Sequence, residues 1–433
     1  MAVDIYAPFT EGDILKLSAE QQDVLDRLEM YTGTIFLTGK AGTGKSTLLK
    51  LFRKTSRKNI VCLAPTGVAS VLVGGQTIHS FFRFPPGWIS PKDYRPLPKK
   101  VADKIEMIVI DEISMVRADL LDHIDSLLRI SKKSSKPFGG IPMLWIGDLY
   151  QLPPVLSSAE EKEYFSKQYP SPYFFSAKVM RELQNFELIE LNEVFRQRDQ
   201  RFIRLLNRIR LNEADEEDLE DLNERCAPLP VEDEKPIITL TSTNAAANDL
   251  NMQALKQLDS PQKSYPAQIS GSFTQSHAPA DPILTLKEGA QIMTIKNDPQ
   301  KLYHNGSLGV ITELGTGSIQ VKIEGSSSTI EIQPAVWDLV KYRLQEDSLT
   351  AEVVGSFTQL PVKLAWAMTI HKSQGKTFER VCIDLGRGAF EYGQAYVALS
   401  RCRSLEGIYL KQKLTWKDIH SDDRVTEFLR TYG

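Results

Sequence analysis

Thr38-Gly39-Lys40-Ala41-Gly42-Thr43-Gly44-Lys45-Ser46-Thr47 is the stretch from which the rest of this chain is read. A glycine, four residues, then Gly-Lys-Ser/Thr is the phosphate-binding loop pattern. The flanks agree with it. Thr34-Ile35-Phe36-Leu37 is a β-branched and apolar run of buried-strand character, and Leu48, Leu49, Leu51 and Phe52 recur afterwards at helical spacing. The glycines let successive backbone N–H groups face inward, and the following helix aims its positive end at the same point. A triphosphate fits such a cradle, formed by Gly39, Ala41, Gly42, Thr43, Gly44 and Thr47, with Lys45 on the β and γ phosphates and the Ser46 hydroxyl on Mg²⁺. The stretch implies nucleotide binding and leaves open what the energy is used for.

Downstream, two more apolar strands end in polar residues. Asn59-Ile60-Val61-Cys62-Leu63-Ala64 runs into Pro65-Thr66-Gly67, and Ile105 to Ile110 is closed by Asp111-Glu112-Ile113-Ser114. Acid pairs after strands also serve as helix caps. Behind a phosphate loop in the same sheet they have a specific use, in which Asp111 holds Mg²⁺ and Glu112 orients and deprotonates the attacking water. A fourth strand, Met143-Leu144-Trp145-Ile146, ends in Gly147-Asp148-Leu149-Tyr150-Gln151-Leu152-Pro153-Pro154, where Gln151 would point at the γ-phosphate. Strands ending in polar loops, with helices between, give an α/β class with a doubly wound parallel sheet and a ligand at the carboxyl ends of the strands.

Other residues carry two readings each. Ser18 and Gln21 match a capping box at the start of a helix that continues through Val24, Leu25 and Leu28, and Gln21 alternatively reads an adenine edge. Gly74 to Phe82, with His79 and Phe81, leads into a proline-rich stretch carrying Arg83, Phe84, Trp88, Lys92, Tyr94, Arg95, Lys99 and Lys100. Aromatics interleaved with cations suit stacked bases and backbone phosphates, or simply a surface excursion. Asp119 to Ile130 is an amphipathic helix with an apolar face and no assigned chemistry. Arg196 follows the strand-like run 187–191, but among the neighbouring arginines physics alone does not single it out.

The length of 433 residues implies two to four structural units. Hydrophobic content of 42% and charged content of 25% are those of a soluble globular chain, and no apolar run approaches membrane-spanning length. Met1-Ala2-Val3-Asp4 has no signal-peptide character, so an intracellular protein is expected. The four cysteines lack any C-x-x-C spacing, which argues against zinc, an iron–sulfur cluster or a disulfide framework. The net charge of −3 hides an uneven distribution, with acids crowded over 213–234 and basic runs at 50–58, 92–104 and 196–210. Charge therefore leaves nucleic-acid binding open.

Pro236 to Thr241 restarts the strand pattern, and the run 265–355 changes to short β segments punctuated by Asn305-Gly306, Gly315-Thr316-Gly317 and Gly325. These are hairpin signals, so a small antiparallel barrel inserted in a second α/β domain is expected. The α/β pattern returns at Val362 to Thr369. Gln374-Gly375-Lys376-Thr377 looks like a second phosphate loop, but the required upstream glycine is Ile370, and a second nucleotide site is rejected. Gln394 to Arg403 reads as a helix with arginines near its end.

Together these motifs resemble those of superfamily-one helicases, and within them the petite-integration-frequency (PIF) family of DNA helicases, relatives of RecD. The most specific are Gly147-Asp148-x-x-Gln151-Leu152-Pro153-Pro154, Phe195-Arg196-Gln197, Thr369-x-His371-Lys372-Ser373-Gln374-Gly375 and Tyr396-Val397-Ala398-Leu399-Ser400-Arg401, and the likeness runs from about Leu17 to Leu410. The resemblance implies two RecA-like domains with ATP and Mg²⁺ in the cleft between them. Gln21 would contact adenine, Gln374 and Gly375 would join the nucleotide contacts, and Arg196 and Arg401 would act as arginine fingers. Pro65, Thr66, His79, Phe81, Ser242, Asn244, Thr369, His371 and Lys372 would line a channel for single-stranded DNA, and the aromatic-basic excursion would sit at the fork. The insert would be an SH3-type barrel.

The domain organisation expected on this basis is an arm at 1–16, a first RecA-like domain at 17–211 with the excursion 81–104, a connector and second-domain start at 212–264, the insert at 265–355 and the remainder at 356–433. The expected function is an ATP-driven 5′-to-3′ DNA helicase acting on single strands and single-strand/duplex junctions in genome maintenance. The alternatives are a single-strand translocase without substantial unwinding and an ATP switch that clamps nucleic acid. The helix 119–130 is plainer than the basic signature helix of the family's eukaryotic members, and long terminal extensions are not seen. A monomeric bare motor, bacterial or phage-like, cytoplasmic and nucleoid-associated, off the membrane and without organelle targeting, is the corresponding expectation.

Overall fold

Apolar runs too short for helices and bounded by glycine and polar residues become buried parallel strands when helices cover both faces of a sheet. In the computed structural model the described residues are 17–433 apart from Pro86, Ser157, Arg198, 229–235, 274–277, Ser327 and 346–347. The expected arm at 1–16 lies outside them. The chain packs as two units.

The first unit holds residues 17–194 together with Asp338–Gly355 and Asp423–Gly433. Its strands are β1 (Thr34–Gly39), β2 (Ile60–Ala64), β3 (Gln76–Thr77), β4 (Met107–Ile110), β5 (Met143–Ile146) and β6 (Phe186–Leu191). They form one six-stranded sheet in the order β3-β2-β4-β5-β1-β6, with every recorded pairing parallel. The order reverses around β1, β4 and β5, so the loops leaving these strands lie at the switch point where such sheets open a crevice.

The helices of this unit are α1 (Ala19–Met30), α2 (Lys45–Thr55), α3 (Gly67–Leu72), α4 (Ile78–Phe82), α5 (Lys99–Lys104), α6 (Ala118–Lys132) and α7 (Ala159–Gln168). Leu48, Leu49 and Phe52 of α2 and Val24, Leu25 and Leu28 of α1 pack with Ile35, Leu37, Val109, Leu144 and Ile146 of the sheet. The apolar face expected over 119–130 is buried as Leu120, Leu121, Ile124, Leu127 and Leu128. The polar residues of α6 are also held: Arg117 bridges Asp119 (2.8 Å) and Glu161 (2.5 Å), and Arg129 bridges Asp125 (2.8 Å) and Glu182 (2.9 Å). The last helix of the chain, Asp423–Tyr432, returns to this unit. Its Phe428 stacks on Phe175 at 4.5 Å and lies 6.3 Å from Phe36 of β1 and 5.9 Å from Phe174.

The second unit holds Phe195–Trp337 and Ser356–Asp422, so the packing boundary falls between Val194 and Phe195. Its helices are α8 (Gln200–Arg210), α9 (Glu216–Asn223), α10 (Asn244–Gln257), α11 (Ile370–Ser373) and α12 (Gln394–Leu399), and the returning helix of the first unit is α13. In chain order its strands begin with β7 (Ile238–Thr241), β8 (Lys263–Pro266), β9 (Gln268–Gly271), β10 (Ile283–Leu286) and β11 (Gln291–Thr294). They continue with β12 (Leu308–Leu314), β13 (Ile319–Ile323), β14 (Thr329–Ile332) and β17 (Val362–Leu364), and between the last two run β15 (Ala335–Gln345) and β16 (Ser348–Gln359), whose stretch Asp338–Gly355 belongs to the first unit. The series closes with β18 (Ala367–Thr369), β19 (Val381–Asp384) and β20 (Ile408–Leu410).

Strands β18-β7-β19-β20 make a four-stranded sheet, parallel throughout. Between β7 and β18 the chain is β-rich, as the hairpin signals indicate. It forms sheets in the orders β14-β13-β12-β11-β17, β15-β16-β9 and β10-β8. Ile292, Ile311, Val321, Ile332 and Val362 share one core there with Tyr265 and Leu284.

Candidate functional site

The phosphate loop leaves β1, which lies between β5 and β6, at Gly39, whose φ is +147°. A side chain at Gly39 would put its Cβ 2.6 Å from the Leu191 carbonyl oxygen and 2.9 Å from Thr43 Oγ1, so only glycine fits. Gly44, at φ +83°, turns the chain into α2 and is its N-cap. Gly42 shares the left-handed sign of φ. The Thr43 hydroxyl donates to the Lys40 carbonyl at 3.0 Å and closes the loop on itself. Lys45 Nζ donates to the carbonyls of Gly39 (2.7 Å) and Lys40 (3.0 Å), which holds its ammonium over the loop it follows. Ser46 and Thr47 occupy the first turn of α2.

Asp111 and Glu112 follow β4, two places from β1 in the sheet with β5 between. Asp111 is buried. Burial first, then the neighbouring Glu112, pushes its carboxyl up to about 7, against the pull of the Glu112 backbone hydrogen bond and of Lys45 and Lys50. Glu112 has a left-handed backbone, φ +53° and ψ +46°, which a non-glycine residue adopts only at a cost of order 1–3 kcal/mol. Gln151, after β5, is buried and donates from Nε2 to Asp148 Oδ2 at 3.2 Å. Lys45, Asp111 and Gln151 thus leave the carboxyl ends of β1, β4 and β5, which are neighbours in the sheet.

Gln21 completes the capping box, its Oε1 accepting from the Ser18 N–H at 3.3 Å while its own N–H donates to Ser18 Oγ at 3.2 Å. Pro65 and Thr66 follow β2, with Thr66 exposed and its Oγ1 accepting from the Ala69 N–H. His79 lies in α4, and burial followed by Arg117 lowers its pKa from the ordinary histidine value. Phe81 is buried edge-on to Phe82, at 4.9 Å between ring centres.

In the second unit, Ser242, Thr369 and the residues after Asp384 stand at the carboxyl ends of the adjacent strands β7, β18 and β19. Thr369 caps α11 by accepting from the Lys372 N–H at 3.3 Å. Lys372 is exposed, and so is Asn244 in the first turn of α10. His371 Nε2 lies 3.2 Å from Glu391 Oε2. Gln374 and Gly375 follow α11, Gly375 with φ +75°.

Arg401 is 1% exposed and fully engaged. It donates to the carbonyls of Val397 (2.9 Å), Ser373 (3.3 Å) and Lys376 (3.4 Å) and to Ser400 Oγ (2.7 Å). Arg196 Nη1 reaches the Ser400 carbonyl at 3.4 Å, and Gln197 Nε2 bridges the carbonyls of Ser400 and Cys402, each at 3.2 Å. The Phe195-Arg196-Gln197 motif is thereby fastened to the end of α12. Gln197 and Glu391 are the polar residues of this region that sequence reasoning gave no role, and their signal lay only in adjacency to Arg196 and to the Tyr396–Arg401 motif.

Fold and site define a phosphate-loop protein with parallel α/β sheets in both units. The sequence pattern of the PIF1-like helicase family matches residues 16–220. Among curated relatives, the ATP-dependent DNA helicase PIF1 of Rattus norvegicus is 35% identical over 96% of this chain and 64% of its own length. The ATP-dependent DNA helicase Pif1 of Bdellovibrio bacteriovorus is 32% identical over 96% of this chain and 92% of its own. The crystal structure of Bacteroides sp Pif1 in complex with ADP-AlF4 matches with a TM-score of 0.87 at 37% identity, covering 96% of this chain and 97% of that one. Bacteroides Pif1 bound to ssDNA matches with a TM-score of 0.70 at 38% identity over the same shares. The chain belongs to the PIF1-like helicase family. It spans a little under two thirds of the length of the rat relative.

Proposed function

We propose that the chain is an ATP-dependent DNA helicase that moves 5′ to 3′ along single-stranded DNA and unwinds duplex at single-strand/duplex junctions. The observation that carries the reading is the convergence of Lys45, Asp111 and Gln151 at the ends of adjacent strands, in a chain whose relatives are named as such enzymes. A neighbour solved with ADP-AlF4 and another with ssDNA support both halves of the reading.

In this mechanism Lys45 exchanges its two loop carbonyls for the β and γ phosphate oxygens, where an ammonium held by neutral acceptors gains a charged partner. Glu112 positions the attacking water and takes its proton. Gln151, anchored through Asp148, contacts the γ-phosphate. Gln21 would meet the adenine. Arg196 and Arg401 would stabilise charge on the transferring phosphoryl, and Gln374 and Gly375 would complete the nucleotide contacts. Arg401 does this only after releasing carbonyls that now hold it.

The residues fit Mg²⁺, with Ser46 and Asp111 as its protein ligands. Asp111 is a buried carboxyl held partly neutral by its surroundings, the setting in which a dication restores the ionised form. Among the described residues no cluster of three or more His, Cys, Asp or Glu side chains forms a metal cage, in keeping with an ion completed by phosphate oxygens and water. When bound, the ion would neutralise the β and γ phosphates.

Single-stranded DNA would run over Ser242, Asn244, Thr369, His371 and Lys372 in one unit and Pro65, Thr66, His79 and Phe81 in the other. The aromatic excursion 81–104 would meet the fork, and the antiparallel insert would be an SH3-type barrel. We read the active form as a monomer in the cytoplasm, associated with the nucleoid. No described helix is long and apolar enough to cross a membrane.

Steady-state ATP turnover, with and without single-stranded DNA, tests the reading, with Lys45→Ala as the blank. Strong DNA stimulation that the variant loses is expected. Turnover indifferent to DNA overturns the motor reading and leaves an ATP switch.

A further inference from the structure

The loop between β19 and α12, from Leu385 to Gly393, bridges two parts of the second unit that are separate in sequence. At its start Ser242 Oγ donates to the Leu385 carbonyl at 3.5 Å, and a Cβ on Gly386 would lie 3.8 Å from the Ser242 Oγ. At its far end Glu391 meets His371 of α11 at 3.2 Å. The loop therefore spans the carboxyl edge of β18-β7-β19, from the residue after β7 to the helix after β18.

It is also pinned. The Ala389 N–H donates to Asp418 Oδ1 at 2.8 Å, the Phe390 N–H to Gln394 Oε1 at 3.1 Å, and the Gly393 N–H to the His420 carbonyl at 3.2 Å. Asp418 is itself buried and accepts from both the N–H and the hydroxyl of Thr415 at 2.8 Å. On this braced segment Phe390 presents its ring to solvent at 59% exposure. Single exposed apolar side chains are common on protein surfaces. An aromatic ring held out on a pinned backbone, between two polar turns at the ligand-binding edge of a parallel sheet, is a stacking platform, because every base offers a π-face to such a ring. Of the carboxylates beside it, Asp418 accepts from Ala389 and Thr415, and Glu391 lies 3.2 Å from His371 Nε2.

We propose that Phe390 stacks on a base of single-stranded DNA lying along the carboxyl edge of β18-β7-β19. The proposal rests on the reading of that edge as a single-stranded DNA track and adds to it the residue that holds a base rather than a phosphate. Sequence preference is not expected from it, since stacking is sequence-tolerant.

The test is fluorescence anisotropy on the full chain at one fixed salt concentration, with labelled oligothymidine and with a labelled strand of equal length that is abasic throughout. Wild type should prefer the base-bearing strand. Phe390→Ala should bind oligothymidine about tenfold more weakly and the abasic strand as wild type does, while Phe390→Trp should keep both affinities. Unchanged binding of oligothymidine by Phe390→Ala, or an equal loss on both strands, overturns the stacking role. Absence of single-strand binding in wild type itself overturns the track reading, and the proposal with it, and is distinguished by needing no variant.

Discussion

Lys45 and Glu112 do different things with the same nucleotide, and variants should separate them. Lys45→Ala removes the ammonium that would meet the phosphates, so both nucleotide affinity and turnover should fall. Glu112→Gln keeps shape and should retain ATP binding while lowering kcat by roughly 10²–10⁴, the range for a lost general base. Equilibrium binding of a fluorescent ATP analogue beside steady-state turnover checks both, and a Glu112→Gln protein with undiminished kcat would remove Glu112 from the chemistry. A third residue gives a pH signature. Burial, then Lys376 and Lys372, lowers the Lys363 pKa to about 7, with Asp281 opposing. Below that pH the side chain is charged in the folded and unfolded chain alike, and the burial penalty is complete. Above it the unfolded chain binds a proton that the folded one does not, so stability from this group rises with pH up to the ordinary lysine value. Lys363→Met should therefore raise the Tm at pH 6 by more than at pH 10, and equal gains at both would refute the assignment.

Among the elements, those whose chemistry is local were the most legible. The capping box of α1 was written in Ser18 and Gln21, and Ser18→Ala should cost about 1 kcal/mol in a urea melt. Strand β1, its glycine turn and α2 are consecutive, so periodicity and glycine spacing were enough to find them. The acid pair was placed by the same logic at the end of β4, but the left-handed backbone of Glu112 had no sequence signal, because a glutamate in that conformation is held there by the surrounding fold. Burial of Phe81 and Arg401 was equally hidden. Their positions are adjacent to motif residues, but which side of an element faces the core is settled by partners far away in sequence, such as Ser373 and Lys376 for Arg401. Helix α13 is the strongest case. The sequence reading assigns no element to Asp423–Tyr432, and nothing in its residues says that Phe428 belongs with Phe36, Phe174 and Phe175 rather than with the strands just before it. Phe428→Ala should destabilise the first unit by about 3–5 kcal/mol, read as a lowered Tm that nucleotide partly restores.

For the whole molecule, a net charge of −3 would ordinarily speak against nucleic acid, yet binding is set by where cations stand rather than by their sum. Exposed Lys372 beside the carboxyl edge of β18 is one such position. If it neutralises a phosphate, log K for single-stranded DNA should fall with log salt, and Lys372→Ala should make that slope shallower by about 0.7, the value of one released counterion on a single strand. An unchanged slope would take Lys372 off the phosphate chain. Affinity should drop alike on base-bearing and abasic strands, in contrast to a residue that stacks.

The return of α13 also sets an order of events. The aromatic face formed by Phe36, Phe174 and Phe186 is covered by residues synthesised after the entire second unit. At roughly 5–20 residues per second, this face waits tens of seconds on the ribosome for its cover. The strand that leads into the phosphate loop is thus made early and finished last, and the nascent chain must keep those rings away from its neighbours until Asp423–Tyr432 arrives.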